Sequence, residues 1–184
     1  MNKKIAIISE HHRNDGEPIA ALLQQYCNDK IEFVQFCTRY TGSRIQSKEA
    51  LLDLKLSFKR EKPDFVIVIR DLDKDDNKIQ RKVFFEQCQI ATNDNAIYLL
   101  FVYMLEALAL ADFSAVCNFY SINKNTISIN KKARNAKEEL RNAFSYTESD
   151  MRGLVEVFDI NTLQQNYGVW ADFLSRFEQK LLEY

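Results

Sequence analysis

The sequence predicts an α/β fold: a mostly parallel sheet of about four strands with helices on both faces, followed by a helical C-terminal part. Four short apolar runs, rich in β-branched residues, are spaced along residues 4–104. Segments with apolar side chains at helical spacing separate these runs, as in repeated strand–helix–strand units. From about residue 130 onward only helical spacing is found. We therefore expect one domain over residues 1–184, with a helical extension over about 130–184.

The strands are predicted where apolar residues follow one another with little polar interruption. Residues 4–9 (KIAIIS) form the first, and residues 31–38 (IEFVQFCT), which alternate, form the second. The third lies within residues 63–73 (PDFVIVIRDLD) and contains an unbroken apolar run from Phe65 to Ile69. Residues 95–104 (NAIYLLFVYM) form the fourth. Runs of this kind are buried on both faces, which is typical of parallel sheets covered by helices.

The helices are predicted between and after the strands. Ser47 has the side chain of a helix N-cap, and residues 38–47 before it form a loop. Large apolar side chains from Trp170 to Leu181 fall on one helical stripe, which we expect to face the core. The predicted helices cover residues 17–27, 47–61, 77–88, 105–120, 133–144, 149–158 and 168–184.

Composition limits the classes of function. Hydrophobic residues make up 46% and charged residues 28% of the chain, as in folded globular proteins. The net charge of -1 excludes the global basic field of a nonspecific nucleic-acid binder. No apolar stretch approaches the roughly 20 residues of a membrane helix, and no signal peptide precedes the first strand, so we expect a cytoplasmic protein. The cysteines form no CxxC pair and are interpreted as small buried apolar residues: Cys27, Cys37, Cys88 and Cys117.

Acidic residues follow three of the four predicted strands. Glu10 ends the first, Asp71 and Asp73 end the third, and Glu106 and Asp112 follow the fourth. Ligands of parallel sheets bind beyond the carboxyl ends of the strands, so we expect Glu10, Asp71 and Asp73 to converge there. Such carboxylates suit a hard cation such as Mg²⁺ or Mn²⁺, and the cation would support phosphoryl-transfer chemistry. Glu106 and Asp112 are six residues apart, so only one of them is expected to face the site.

The glutamate that closes the first strand (AIISE) and the DxD that closes a later strand (VIRDLD) together resemble the Toprim domain of topoisomerases, primases and OLD-type nucleases. The stretch LFVYMLEALALAD resembles the signature of a small standalone Toprim-like family in bacteria, which is related to phage-defence nucleases. The segment KKARNAKEEL lies where that family carries a lysine motif before a helix. Residues 159–181 are similar to its closing helix pair. The resemblance covers most of the chain.

The resemblance implies a Mg²⁺-dependent nuclease, acting on DNA or RNA and serving as an effector in phage defence. By that resemblance Glu10 is general base or metal ligand, and Asp71 and Asp73 are metal ligands. Glu106 holds a second metal or supports the site. Asp15 lies where the family often has an acidic or asparagine residue, and it is a further candidate.

Four basic residues are candidate contacts to substrate phosphates. Arg13 and Arg70 flank the acidic cluster, where they either grip a phosphate or screen the carboxylates. Lys132 and Lys137 belong to residues 123–141, which contain six basic and two acidic residues. That segment is either a solvated helix face or a phosphate-contacting patch.

Two other classes of function stay open on the sequence alone. In the first, the chain is a non-catalytic interaction module, a regulatory subunit of a larger assembly that contains an ATPase. The missing basic surface favours this alternative, since a nuclease of this size would need help to hold nucleic acid. In the second, a receiver-like or phosphatase-type domain uses Asp71 as a nucleophile. Assembly into a homo-oligomer is open in every case.

Overall fold

The apolar runs form one parallel sheet at the centre of the protein. The order across the sheet is β2-β1-β3-β4, and all neighbouring pairs are parallel, which confirms the predicted α/β class. The strands are β1 (Lys3–Ile8), β2 (Ile31–Val34), β3 (Phe65–Asp71) and β4 (Ala96–Phe101). The structure, a computed structural model, describes residues 2–27, 30–34, 39–72, 77–102, 104–130 and 135–183.

Helices connect the strands and build the C-terminal part, as predicted. Ser47 caps α2 as expected, since its hydroxyl accepts a hydrogen bond from Ala50 N at 3.1 Å. Among the described residues, short turns of 3₁₀ or π geometry cover His12–Gly16, Gly42–Gln46 and Lys124–Thr126. The helices are α1 (Glu17–Cys27), α2 (Lys48–Glu61), α3 (Lys78–Thr92), α4 (Ala107–Ala111), α5 (Phe113–Phe119), α6 (Ala136–Phe144), α7 (Asp150–Val157), α8 (Ile160–Asn166) and α9 (Gly168–Leu182).

Helices cover both faces of the sheet, and β3 shows why the strands are apolar throughout. Phe65, Ile67 and Ile69 point into the larger core, which α1 and the C-terminal helices complete. Val66 and Val68 point to the opposite face, where α2 and α3 pack. The predicted stripe of α9 faces the larger core, because its four inner side chains are fully buried: Trp170, Phe173, Leu174 and Phe177.

Several boundaries differ from the prediction. The helix expected over residues 105–120 is two helices, α4 and α5, with Asp112 between them. The fourth strand ends at Phe101, because the chain turns there toward α4. Helical spacing also missed α8, whose seven residues contain a single buried side chain, Leu163. Residues 35–38 of the predicted second strand and Asp73 of the third lie outside the described residues.

The structure describes three of the four cysteines. Cys88 and Cys117 are buried, as expected, and Cys27 is half-buried, whereas Cys37 lies outside the described part. Within the described ranges, no helix combines the length and the apolar character that crossing a bilayer requires.

The register of the sheet determines which side chains meet at its carboxyl edge. Ile8 pairs with Val68, so Glu10, two residues beyond Ile8, is level with Arg70. Asp71, the last residue of β3, pairs with the last residue of β4. Neighbouring residues of a strand point to opposite faces, so Arg70 and Asp71 belong to different sides of the sheet.

Candidate functional site

Glu10 forms an ion pair with Arg70 just beyond the end of β1. Arg81 of α3 places a guanidinium nitrogen 3.9 Å from the same Glu10 oxygen. The Gln46 carboxamide oxygen, assigned from its surroundings, accepts hydrogen bonds from Arg70 Nη2 at 2.9 Å and from Arg81 Nη1 at 3.0 Å. Arg81 Nε also donates to the backbone oxygen of Asp71 at 2.9 Å. Glu10 is therefore held by two cations.

Arg70 is enclosed by protein on the face of the sheet that α2 and α3 cover. The residue is 1% exposed, and its Cζ atom lies 5.5 Å from the centre of the Phe84 ring. Among the described residues, its Nε and Nη1 atoms have no hydrogen-bond partner. A buried cation with so few partners depends on Glu10 for charge compensation. The screening role considered for Arg70 fits this placement, whereas contact with a substrate phosphate does not, because the guanidinium is shielded.

An acidic cavity of about 180 Å³ opens at the carboxyl edge, on the side of the larger core. Asp71 enters it because it points away from Arg70. Glu10, which turns toward Arg70, is not among the described residues that line the cavity. The lining residues are His11, Asn14, Asp15, Asp71, Leu105, Glu106, Lys137, Tyr146 and Glu148. The structure thus brings Asp71 together with Glu106 and Asp15, and it pairs Glu10 with arginines.

Asp15 lies at the junction of these two groups. The turn after β1 folds back so that Asp15 Oδ2 accepts a hydrogen bond from His11 N at 3.0 Å. Burial raises the pKa of Asp15 to about 6, and the negative charges of Glu10 and Glu106 add to the increase, while the hydrogen bond from His11 opposes it. Asp15 therefore changes its charge close to neutral pH.

Glu106 faces the cavity from the residue before α4, so the helix begins after it. It is 7% exposed, and Tyr146 Oη donates a hydrogen bond to its Oε1 at 3.2 Å. Burial, together with the charge of Glu106, raises the pKa of Tyr146, so that hydroxyl stays a donor. Glu106 is thus oriented toward the cavity by a neutral partner.

Asp112 plays a structural part and is separate from the cavity. Its Oδ1 accepts from Ala115 N at 3.2 Å and caps α5. Its Oδ2 accepts from Asp159 N at 2.9 Å, immediately before α8. Of the two acidic residues that follow β4, Glu106 lines the cavity and Asp112 does not.

Lys137 is a cation on the cavity wall. Its ammonium group forms an ion pair with Glu148, and Asn14 Nδ2 donates to the other Glu148 oxygen at 2.9 Å. The hydrogen bond from Lys137 lowers the pKa of Glu148. The predicted contact between Lys137 and a substrate phosphate is compatible with this position, because the ammonium group borders the cavity.

Of the remaining predicted residues, Arg13 is described and does not line the cavity. Asp73 and Lys132 lie outside the described residues. Arg13 is exposed in the turn after β1, and its backbone oxygen accepts a hydrogen bond from Arg152 Nη2 at 3.4 Å.

The cavity offers oxygen ligands, which fit a hard divalent cation. Asp15, Asp71 and Glu106 contribute carboxylates, and clustered carboxylates are stabilised by a cation. In the part of the chain that the structure describes, no three His, Cys, Asp or Glu side chains converge as ligands of one metal ion. A cation such as Mg²⁺ fits such a site, because it is commonly bound by one or two carboxylates and keeps several waters.

Sequence reasoning missed three residues that shape this edge of the sheet. The burial of Arg81 could have been predicted from its spacing, because it lies on the same helical stripe of α3 as the buried Phe84 and Cys88. A cation on an apolar helix face indicates a buried acidic partner. Tyr146 and Glu148 follow α6 in a polar turn, and no spacing rule linked that turn to the ends of the strands.

Comparisons with known proteins identify no family, because no protein-family model, curated protein or solved structure matches the chain. A functional conclusion therefore depends on the chemistry of the cavity and on the resemblance of the motifs.

Proposed function

We propose that the protein is a Toprim-type, metal-dependent nuclease that hydrolyses phosphodiester bonds at the acidic cavity. The observation that carries the proposal is the grouping of Asp15, Asp71 and Glu106 at the carboxyl edge of a parallel sheet. Ligand sites in such sheets lie at this edge. The raised pKa of Asp15, to about 6, adds support, because titratable groups with perturbed pKa values cluster at functional sites.

Asp71 and Glu106 are the proposed ligands of Mg²⁺ or Mn²⁺, and Asp73 joins them by the motif resemblance. When bound there, the metal would polarise a phosphate and lower the pKa of a coordinated water. Tyr146 orients Glu106 through its hydrogen bond. The ligand set expected from the sequence included Glu10. The proposed set leaves Glu10 out, because its carboxylate lies beside Arg70 and Arg81.

Asp15 is the proposed proton acceptor. A carboxylate with a pKa near 6 accepts a proton near neutral pH more readily than an ordinary aspartate. Glu10, the general base expected from the sequence, is neutralised by Arg70 and would need to leave that ion pair to act. In the proposal, Glu10 instead compensates the charge of Arg70, and its own charge helps to raise the pKa of Asp15.

The substrate in this proposal is DNA or RNA, held by its phosphates. Lys137 on the cavity wall and Arg13 in the exposed turn after β1 are the described cations available for that contact. We place the protein in the cytoplasm, where the thiols of Cys27, Cys88 and Cys117 would stay reduced. A role as an effector of bacterial phage defence follows from the motif resemblance alone.

Incubation of the protein with plasmid, single-stranded DNA and total RNA tests the proposal. We expect cleavage that needs Mg²⁺ or Mn²⁺ and stops with EDTA. Asp71→Asn should reduce the cleavage rate by at least about 100-fold, since a metal ligand is lost. Glu32→Gln, an exposed change on β2, is the matched control and should leave the rate unchanged. Equal cleavage by wild type and Asp71→Asn would remove the site assignment.

The second candidate is the non-catalytic regulatory subunit of an assembly that contains an ATPase. The Glu10–Arg70 ion pair favours this candidate, because Glu10 was the residue expected to act as general base and its carboxylate is engaged by Arg70. Titration with Mg²⁺ separates the two candidates. Absence of binding, or binding that Asp71→Ala leaves unchanged, would favour the regulatory subunit.

A further inference from the structure

The outer surface of α2 and α3 carries large apolar side chains that the fold does not bury. On α2, Leu52 and Leu56 are four residues apart and 57% and 56% exposed. On α3, Ile79, Val83 and Ile90 are 76%, 46% and 75% exposed. These spacings place the residues of each helix on one side of it. We name the outer surface of the two helices, which carries these residues, the α2–α3 face.

The α2–α3 face is shallow and open where the two helices meet. A groove of about 270 Å³ runs between the helices and is lined by Leu51, Leu52, Lys55, Gln87, Ile90 and Ala91. A groove between two helices accepts a ridge of side chains from a third helix, because ridges fit into grooves when helices pack. Amphipathic helices that bind such grooves insert apolar residues spaced three and four positions apart.

The charges on the α2–α3 face have one predominant sign. Across α2 and α3, six exposed side chains are cationic and two are anionic, and α2 also carries two half-buried anions, Asp53 and Glu61. Of the six cations, Arg60 pairs with Glu61 and Lys82 pairs with Glu86. The whole chain has a net charge of -1, so these two helices are more positively charged than the rest of the protein. The cations are Lys48, Lys55, Lys59, Arg60, Lys78 and Lys82, and the anions are Glu49 and Glu86.

We propose that the groove between α2 and α3 binds an amphipathic helix of a partner protein whose apolar stripe is flanked by glutamate or aspartate. The groove matches the apolar stripe, and Lys55, which lines it, faces the acidic flank. A second copy fits less well, because a twofold contact would bring the cations of both faces together. This surface is distinct from the acidic cavity, so it does not depend on the proposed nuclease activity.

Fluorescence anisotropy of three labelled helical peptides of about 18 residues tests the proposal on the full chain. Two peptides carry leucines three and four positions apart and are flanked by glutamate in one and by lysine in the other. The third has the composition of the glutamate peptide in a scrambled order that breaks the leucine spacing. At physiological salt we expect a Kd below about 100 µM for the glutamate peptide and at least about tenfold weaker binding of the other two.

Variants locate the site. Leu52→Asp should weaken binding of the glutamate peptide by at least about tenfold, because it places a carboxylate in the groove. Lys55→Glu should weaken the glutamate peptide and strengthen the lysine peptide. Leu182→Asp, at the 84% exposed end of α9, is the matched control and should leave both affinities unchanged.

Three results would overturn the proposal. The first is equal affinity for the glutamate and lysine peptides, or no binding at about 1 mM. The second is a wild-type dimer in light scattering that Leu52→Asp dissociates, which would make a second copy the occupant. The third is binding to phosphatidylglycerol vesicles that Leu52→Asp abolishes, in place of peptide binding, which would make the face a membrane-contacting surface.

Discussion

At the scale of single residues, two carboxylates at the carboxyl edge have opposite surroundings. Glu10 sits against Arg70 and Arg81, so its negative charge is compensated. Asp15 is half-buried, and desolvation together with the charges of Glu10 and Glu106 disfavours its negative charge. Because of this difference, we assign Asp15 as the proton acceptor and Glu10 as the partner of Arg70.

Replacing Glu10 with glutamine should destabilise the protein by about 3 kcal/mol at pH 7.5, because Arg70 would keep a buried charge without its partner. Urea unfolding measures the change. The double variant Glu10→Gln with Arg70→Met should recover most of the loss, since both members of the pair are then gone. Glu32→Gln on the exposed side of β2 should stay within about 0.5 kcal/mol of wild type. A Glu10→Gln variant as stable as wild type would contradict the role given to the pair.

Asp15→Asn should stabilise the metal-free protein by about 2 kcal/mol at pH 7.5 and leave stability unchanged near pH 4. The pKa of Asp15 is raised in the folded state, so folding favours its protonated form. That stabilisation is complete below the unfolded pKa near 4 and is lost as the pH rises through 6. Asparagine is neutral throughout and keeps the oxygen that accepts from His11 N. Urea unfolding in EDTA at both pH values measures the effect, and equal stability at pH 7.5 would contradict it.

The sequence located these residues but not the directions of their side chains. Glu10 and Asp71 were placed correctly at the ends of β1 and β3, because long apolar runs end where charge begins. The two side chains point to opposite sides of the sheet. This depends on the pairing of Ile8 with Val68, which is set by tertiary structure and not by local sequence. Asp15 was only a further candidate, since its raised pKa comes from burial that no local pattern encodes.

At the scale of elements, the break between α4 and α5 positions the cavity. The run from Leu105 to Tyr120 has continuous helical spacing, which is why one helix was predicted. Asp112 interrupts it by capping Ala115 N and Asp159 N with its two carboxylate oxygens. The short α4 therefore keeps Glu106 at its start, beside the cavity. A competing side-chain cap overrides helical spacing here.

Asp112→Ala should lower the free energy of unfolding by about 3 kcal/mol, because two backbone N–H groups lose their acceptors at a residue that is 4% exposed. Thermal and urea denaturation measure the loss. Asp159→Ala removes only the cap on Thr162 N at an exposed residue and should cost less. Equal losses in the two variants would contradict the linking role of Asp112.

At the scale of the whole molecule, the sheet separates two surfaces with different chemistry. Its carboxyl edge holds the acidic cavity, while the α2–α3 face is apolar and basic. The alternation of strands and helices predicted this architecture, because a parallel sheet needs covering helices on both sides. The cavity was harder to predict, since Tyr146 and Glu148 reach it from the C-terminal helical part.

The most direct test of the cation site is calorimetric titration of the protein with Mg²⁺ and Mn²⁺ at pH 7.5. We predict binding with a submillimolar Kd for wild type and for the control Glu32→Gln. Binding should be lost in Asp71→Asn and weaker at pH 5, where Asp15 is protonated. Absence of binding at millimolar metal, or equal binding by wild type and Asp71→Asn, would contradict a cation site in the acidic cavity.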